Sequence, residues 1–159
     1  TGGFTQLSLL RGASKVFAVE LGTNQMDKLL RLDSRIELHE KTDILDVGLN
    51  STNSRVKLSF VPDIVVMDSS FVSLRKILPH VRKLTDKNSL IIALLKPQFE
   101  AESKDLFSGV IKNENIRRKI IKDFENWSKP YFKTIIKADS NVKGTKGNQE
   151  RLYLLKKLS

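Results

Sequence analysis

The residues Pro62-Asp-Ile-Val-Val-Met-Asp-Ser-Ser-Phe-Val-Ser-Leu74 give the clearest indication of the fold, because a short apolar run stops on an acid and the chain then turns toward a helix. Residues 64–67 are uninterruptedly apolar between polar neighbours, which is typical of a central strand covered on both faces. Asp68 follows that strand directly. Ligands of open α/β sheets bind at this edge, so Asp68 is a candidate site residue. Its alternative role is to cap the helix that starts near Leu74.

A second stretch, Leu90-Ile-Ile-Ala-Leu-Leu-Lys-Pro-Gln-Phe-Glu100, repeats the pattern of a buried strand that ends on a charge. Here the charge is Lys96, followed by Pro97. Neighbouring parallel strands present their carboxyl ends at one edge of the sheet, so we expect Asp68 and Lys96 to lie together there. The alternative for Lys96 is a solvated residue at the end of a strand.

Length and composition indicate one folded domain: the chain has 159 residues, of which 40% are hydrophobic. The absence of cysteine excludes disulfides and thiolate ligands, and two histidines are too few for an ordinary zinc site, so we expect no metal. No apolar run approaches the roughly 20 residues that cross a bilayer, and no signal-peptide pattern is visible. We expect a cytoplasmic protein without stable membrane association.

The chain opens on Thr-Gly-Gly-Phe-Thr with no strand before the glycine pair, so we expect the first strand of the domain to be absent from this sequence. Glycines let a ligand approach the backbone, although Gly-Gly is also an ordinary turn. A strand over residues 15–19 then ends on Glu20. In nucleotide-binding α/β folds an acid at this place accepts hydrogen bonds from ribose hydroxyls. The alternative is a surface glutamate.

Hydrophobic periodicity predicts alternating helices and strands over the rest of the chain. The predicted helices are 24–32, capped by Asn24, 74–84 and 113–127; the further strands are 35–40, 131–138 and 151–158. Residues 47–60 are typical of a loop with at most a weak strand, and 101–108 of a polar loop. The fold class is α/β, a doubly wound, mostly parallel sheet with an antiparallel C-terminal hairpin strand.

The net charge of +10 lies mainly in the second half of the chain. Residues 1–80 hold 10 Lys/Arg against 9 Asp/Glu, whereas residues 81–159 hold 18 against 9. A one-sided excess attracts polyanions, which favours nucleic acid, with an anionic membrane surface as the alternative. The candidate RNA contacts are Lys112, Arg117, Arg118, Lys143 and Lys146.

Five motifs together resemble one family. They are Thr-Gly-Gly-Phe-Thr at 1–5, Ala-Val-Glu-Leu-Gly-x-x-Gln at 18–25, Asp-x-Ser-Phe-x-Ser-Leu at 68–74, Leu-Lys-Pro-Gln-Phe-Glu at 95–100 and Gly-Asn-x-Glu at 147–150. The chain is similar to the TlyA type, also called hemolysin A, which resembles ribosomal RNA 2′-O-methyltransferases of the FtsJ-like class. The resemblance implies a Rossmann-like methyltransferase domain that uses S-adenosylmethionine (SAM), preceded by an S4-like RNA-binding domain absent from this sequence. Ribosomal RNA or ribosomal subunits are the implied partners.

The resemblance also implies site residues. Those at the SAM site are Gly2, Gly3, Phe4, Glu20, Asp43 and Asp68. Asp68, Lys96 and Glu150 match the second, third and fourth members of the catalytic tetrad, whose first member, a lysine upstream of the glycine turn, lies outside this sequence. For Asp43 the alternative is a solvated loop acid.

Three other functions stay open at the level of sequence. A base N-methyltransferase usually has an Asn/Asp-Pro-Pro-aromatic turn, and here Ser69 and Ser70 stand in place of both prolines. A non-catalytic RNA-binding protein would keep the fold without turnover. A haemolysin-like membrane-active protein would need an exposed amphipathic or spanning segment, and the sequence displays none.

Overall fold

A computed structural model describes residues 2–49 and 53–158. Thr1 of the glycine turn and residues 50–52 of the predicted loop lie outside the described residues. The chain divides into two compact units, residues 1–61 and residues 62–159. Within the described ranges, no helix combines the length and hydrophobicity needed to span a membrane.

The first unit contains two parallel strand pairs and two short helices. Its elements are α1 (Gly3–Leu10), β1 (Val16–Val19), α2 (Lys28–Arg31), β2 (Ile36–His39), β3 (Val47–Leu49) and β4 (Val56–Leu58). β1 pairs with β2, and β3 pairs with β4. The strands predicted over 15–19 and 35–40 are therefore present.

Two predictions in this unit need correction. The helix expected over 24–32 is limited to α2, because Asn24 has a left-handed backbone (φ 57°) and the helix is instead capped by Asp27. The Asp27 carboxylate accepts a hydrogen bond from the Leu29 amide at 2.8 Å. The presumed loop over 47–60 contains β3 and β4, which are short enough to lack a recognisable apolar run.

The second unit is a four-stranded sheet with helices between its strands. Its elements are β5 (Ile64–Met67), α3 (Leu74–Leu84), β6 (Leu90–Leu95), α4 (Pro97–Glu100), α5 (Glu114–Ser128), β7 (Phe132–Asp139) and β8 (Arg151–Lys157). The strand order is β5-β6-β8-β7, with β5 parallel to β6 and β8 antiparallel to both of its neighbours. The predicted reversal of the last strand is confirmed, and that strand lies inside the sheet.

The helix α3 forms as its periodicity predicts. Its five apolar positions are all buried: Leu74, Ile77, Leu78, Val81 and Leu84. The hydroxyl oxygen of Ser73 caps the helix by accepting a hydrogen bond from the Arg75 amide at 3.1 Å. Asp68 is therefore not the cap of this helix, and the capping alternative for its carboxylate is removed.

Candidate active site

Asp68 and Lys96 meet at the carboxyl edge of the β5–β6 pair. Met67 lies opposite Ala93 in this pair, so the residues that follow the two strands emerge side by side. The Lys96 Nζ is 2.8 Å from the Asp68 Oδ1 and donates to the Ser70 Oγ at 3.0 Å. The Lys96 side chain is only 14% exposed, whereas that of Asp68 is 48% exposed. The amine is thus oriented by two fixed oxygens, one of which is reachable from solvent.

Glu150 reaches the same place from the opposite direction of the chain. β8 runs antiparallel to β6 and places Arg151 opposite Leu95, so the residue before β8 lies beside the residue after β6. The Glu150 Oε1 is 4.0 Å from the Lys96 Nζ, beyond hydrogen-bond length but within the range of strong electrostatic attraction. The structure therefore brings together all three tetrad positions that this sequence contains.

Gly144 leaves room for the Glu150 carboxylate. A Cβ atom at residue 144 would lie 2.8 Å from the Glu150 Oε1 and 3.4 Å from its Cδ. The Gly144 amide donates to the backbone oxygen of Asn148 at 2.9 Å, which closes the loop over the carboxylate. Glu150 is 8% exposed. This contact depends on how the hairpin folds back, which no local pattern in the sequence indicates.

Glu100 is a buried acid that sequence reasoning did not assign. Its carboxylate accepts hydrogen bonds from the Ser73 hydroxyl at 2.6 Å and from the Leu74 amide at 2.7 Å. With 2% of its side chain exposed, Glu100 ties the end of α4 to the start of α3. The Phe71 and Phe99 rings, 5.1 Å apart, join the same two segments. These contacts hold the segment that carries Asp68 against the segment that carries Lys96.

The two glycines of the predicted SAM turn lie at the start of α1 but differ in what surrounds them. Gly2 has φ 86° and its Cβ would lie 2.8 Å from the Leu30 Cδ1, so the fold of the first unit itself requires glycine there. At Gly3 no heavy atom lies within 4 Å of an added Cβ. The space in front of Gly3 is open, which fits a group that approaches the backbone closely.

The other SAM candidates of the first unit lie in ordinary local surroundings. The Glu20 Oε1 accepts from the Gly22 amide at 2.7 Å, and no hydrogen bond to its Oε2 occurs among the described residues. The Asp43 Oδ1 caps a short 3₁₀ turn by accepting from the Leu45 amide at 2.9 Å. Phe4 is 37% exposed. Glu20 thus keeps one oxygen available, whereas the Asp43 contact is also consistent with the solvated-loop alternative.

The basic candidates separate into exposed and buried side chains. Lys112, Arg118, Lys143 and Lys146 are exposed. Arg117 is 7% exposed, and its guanidinium binds the Asp139 Oδ1 at 2.6 Å and the Glu114 Oε1 at 3.2 Å. Burial alone would raise the pKa of Asp139, but hydrogen bonds from Arg117 and Arg151 lower it below its usual value. The Arg117 guanidinium is thus engaged in internal ion pairs, which leaves the four exposed side chains as the better candidates for contact with RNA.

The chain matches the FtsJ-like methyltransferase family over residues 1–157. It is 36% identical over 154 residues to Hemolysin A of Brachyspira hyodysenteriae, covering 96% of this chain and 62% of that protein. It is 35% identical over 156 residues to the 23S rRNA (cytidine-2'-O)-methyltransferase TlyA of Campylobacter jejuni, covering 96% of this chain and 57% of that protein.

A solved structure from Lactococcus lactis that carries a hemolysin label superimposes with a TM-score of 0.89 at 32% identity, covering 98% of this chain and 73% of that one. Of the Brachyspira and Campylobacter relatives, the chain spans somewhat more than half the length. The chain therefore belongs to the FtsJ-like methyltransferase family.

Proposed function

We propose that this chain transfers a methyl group from SAM to a ribose 2′-hydroxyl of ribosomal RNA, with Lys96 as the residue that acts on the hydroxyl. The observation that carries the proposal is the placement of the Lys96 amine, bound to Asp68 and Ser70 and faced by Glu150. The family of the chain supports the reaction class, and the rRNA methyltransferase relative supports the choice of substrate.

The reaction requires that the ribose hydroxyl lose or share its proton. A protonated hydroxyl is a poor nucleophile, so the site has to accept or share its proton while the oxygen attacks. Bound SAM supplies an electrophilic methyl group on a sulfonium. Once its ammonium has given up a proton to solvent, Lys96 would accept the hydroxyl proton as the new carbon–oxygen bond forms and the bond between the methyl carbon and sulfur breaks. Asp68 would then pair with the restored ammonium. Ser70 and Glu150 restrict where that ammonium can lie, so the amine stays in line with the attacking oxygen.

We assign SAM binding in the first unit to Gly2, Gly3, Phe4, Glu20 and Asp43, and we keep Asp68 as a further SAM contact in the second unit. Open space in front of Gly3 supports this assignment, and so does the Glu20 oxygen that has no hydrogen bond among the described residues. A carboxylate oxygen of that kind accepts hydrogen bonds from ribose hydroxyls.

We expect Gly3→Ala in the full-length protein to weaken SAM binding about tenfold, because the added methyl group occupies the space in front of the backbone. The fold should not suffer, since Gly3 lies in α1 and alanine is favoured over glycine in a helix by roughly 1 kcal/mol. Calorimetric titration with SAM and thermal unfolding measure both effects. Ser8→Ala on the same helix is the matched control, and unchanged SAM affinity in Gly3→Ala would count against the assignment.

RNA binding should be largely electrostatic and centred on Lys112, Arg118, Lys143 and Lys146, all of which are exposed. We expect log affinity to fall linearly with log salt concentration, with a slope of about 0.7–0.9 for each phosphate contact. Lys146→Ala should lower that slope by about 0.7–0.9, the amount expected for the loss of one phosphate contact. Titrations of ribosomal RNA fragments at several salt concentrations measure the slope. An affinity independent of salt contradicts the prediction.

The proposal is tested by mapping methylation in ribosomal RNA from cells with and without the gene, and by repeating the reaction with purified protein. A 2′-O-methyl group removes the nucleophile that alkali needs, so the modified linkage resists alkaline cleavage. A methyl group on a base nitrogen leaves the linkage cleavable. Alkali-resistant linkages that vanish with the gene support the proposal, whereas methylated bases at cleavable linkages support the N-methyltransferase alternative.

Membrane lysis is the second candidate, raised by the name of the Brachyspira relative and by two very exposed leucines, Leu29 within α2 at 80% and Leu32 directly after it at 83%. Dye release from lipid vesicles by purified protein measures it directly. Release that persists in Lys96→Ala and disappears in Leu29→Ala would favour lysis. We expect no dye release from the wild-type protein or from either variant.

A further inference from the structure

We propose that Phe107 is a stacking platform for an unpaired nucleobase of the RNA substrate. The inference rests on the proposed function, since it assumes that RNA is the substrate, and it adds which chemical part of the RNA this surface recognises. Phe107 lies at the base of a tight turn over residues 107–110, called the Phe107 turn below. The proposed phosphate contacts and the proposed catalytic residues give no role to the aromatic ring of this turn.

The Phe107 turn holds its aromatic ring in a defined place. Phe107 and Val110 form an antiparallel bridge in which each amide donates to the other carbonyl, at 2.9 and 3.0 Å. The two residues between them, Ser108 and Gly109, both have positive φ, 51° and 80°. Two such residues in succession are characteristic of a type I′ hairpin turn. The ring is therefore carried by an ordered hairpin.

Asn148 fastens this turn to the loop that ends at Glu150. Its side chain accepts a hydrogen bond from the Ile111 amide and donates one to the Gly109 carbonyl, both at 3.0 Å. Asn148 is 5% exposed, so these bonds are shielded from competing water. The Lys146 Nζ lies 3.3 Å from the position of a Cβ at residue 109. The turn is thus anchored within the same hairpin loop that delivers the Glu150 carboxylate to Lys96.

The Phe107 ring is built to stack on one face. The Lys112 Nζ lies 3.8 Å from the ring centroid, so an ammonium covers one face. The side chain is nevertheless 63% exposed, which leaves the other face to solvent. A single exposed apolar residue is unremarkable by itself. Here the backbone of the turn is ordered, the Lys112 ammonium lies over the ring, and the Lys146 ammonium lies beside Gly109 of the same turn, so two charges that attract phosphate accompany the ring.

Unpaired nucleobases are the partners that match this chemistry. Every base has a flat π face, and stacking on an aromatic side chain combined with nearby positive charge is the usual mode of single-strand binding. Paired bases are stacked within a helix and do not offer that face, so recognition of this kind selects loops, bulges and ends. The Phe107 turn would therefore favour substrates in which a nucleotide near the target is unpaired.

The test uses the full-length protein and two probes of equal length and charge, a ten-nucleotide oligoadenylate and the same backbone with abasic residues. We expect wild-type protein to bind oligoadenylate about tenfold more tightly than the abasic backbone, consistent with the stacking of about one base. Phe107→Ala should lose this preference, and Phe107→Tyr should restore it. Ile136→Ala, which removes an apolar residue that is 60% exposed on β7, is the matched control and should keep the preference.

Binding is read by fluorescence anisotropy, which does not depend on methylation, so failure of the proposed reaction and failure of this inference give different results. No preference for bases in the wild-type protein would overturn the inference. An equal loss of affinity for both probes in Phe107→Ala would also overturn it, because that result indicates disturbed folding or lost charge contacts. Thermal unfolding of each variant identifies the first of these causes.

Discussion

Lys96→Ala in the full-length protein is expected to lower the rate of RNA methylation by at least about a hundredfold, the low end of what a positioned acid or base contributes. The reason is geometric. The Lys96 Nζ is the one cation that the structure places on both Asp68 and Ser70 and within 4.0 Å of Glu150 in the described part of the second unit. Affinity for SAM and for RNA should change little, so the loss should appear in kcat under saturating substrates.

Lys87→Ala is the matched control for this experiment. It removes the same charge from an exposed residue that precedes β6, whereas Lys96 follows that strand at its other end. Single-turnover methylation, SAM calorimetry and RNA titration should leave Lys87→Ala close to wild type. A reduction of less than about threefold in Lys96→Ala, with both ligands still bound, would remove Lys96 from the mechanism.

Gly144→Ala is expected to slow methylation by about a hundredfold, the size of effect known for small displacements of catalytic groups. The added Cβ would lie 2.8 Å from the Glu150 Oε1, so the carboxylate has to leave its place facing Lys96. The cost in folding should be small, because the atom that moves is the end of a flexible side chain. Turnover should therefore fall strongly, whereas the midpoint of thermal unfolding should change little.

Gly147→Ala is the control, because it should lower stability and leave turnover nearly unchanged. No heavy atom lies within 4 Å of its added Cβ, but its φ of 90° is unfavourable for any residue with a side chain, which costs of order 1–3 kcal/mol. Its unfolding midpoint should fall while turnover per folded molecule stays within about threefold of wild type. If both variants lose stability and activity in parallel, the specific link between Gly144 and Glu150 is refuted.

Much of the second unit could be predicted from the sequence because its elements carry long, regular apolar patterns. The five apolar positions of α3 and the continuous runs of β5 and β6 identified these elements close to their observed bounds. Residues 47–60 were predicted as a loop with at most a weak strand, and the pair β3 and β4 was missed because three residues are too few for a pattern. The cap of α2 was misplaced because Asn24 and Asp27 are both good capping residues and only the backbone angles separate them.

The candidate site divides in the same way. Asp68 and Lys96 were brought together by reasoning about strand ends, whereas Glu150 was reached only through the family resemblance. No sequence pattern pointed to three further residues of the site, Ser70, Glu100 and Gly144. The contacts of Ser70 and Glu100 join segments that are distant in the sequence, and the contact of Gly144 depends on how the hairpin loop folds. Periodicity describes the environment of one segment and is silent on which other segment it meets.

Arg117 illustrates a limit of reasoning from charge. On a basic helix its residue type suggests a phosphate contact, yet it is the buried member of an ion-pair group with Glu114 and Asp139. The acids that neutralise it come from its own helix and from β7, and the pairing with β7 is visible only after folding. Residue type and net charge therefore do not show which basic side chains are already neutralised within the fold.

The place of β8 inside the sheet sets the order in which a nascent chain can complete the centre. β6 and β7 are both translated before β8, yet β8 pairs with β7 and with the edge of β6 that faces away from β5. Until residues 151–157 have been synthesised, one edge of β6 stays unpaired, and Glu150 has no strand to hold it beside Lys96. Folding during translation can therefore complete this centre only after β8 has been made, and a polypeptide that stops short of β8 lacks the strand that holds Glu150 beside Lys96.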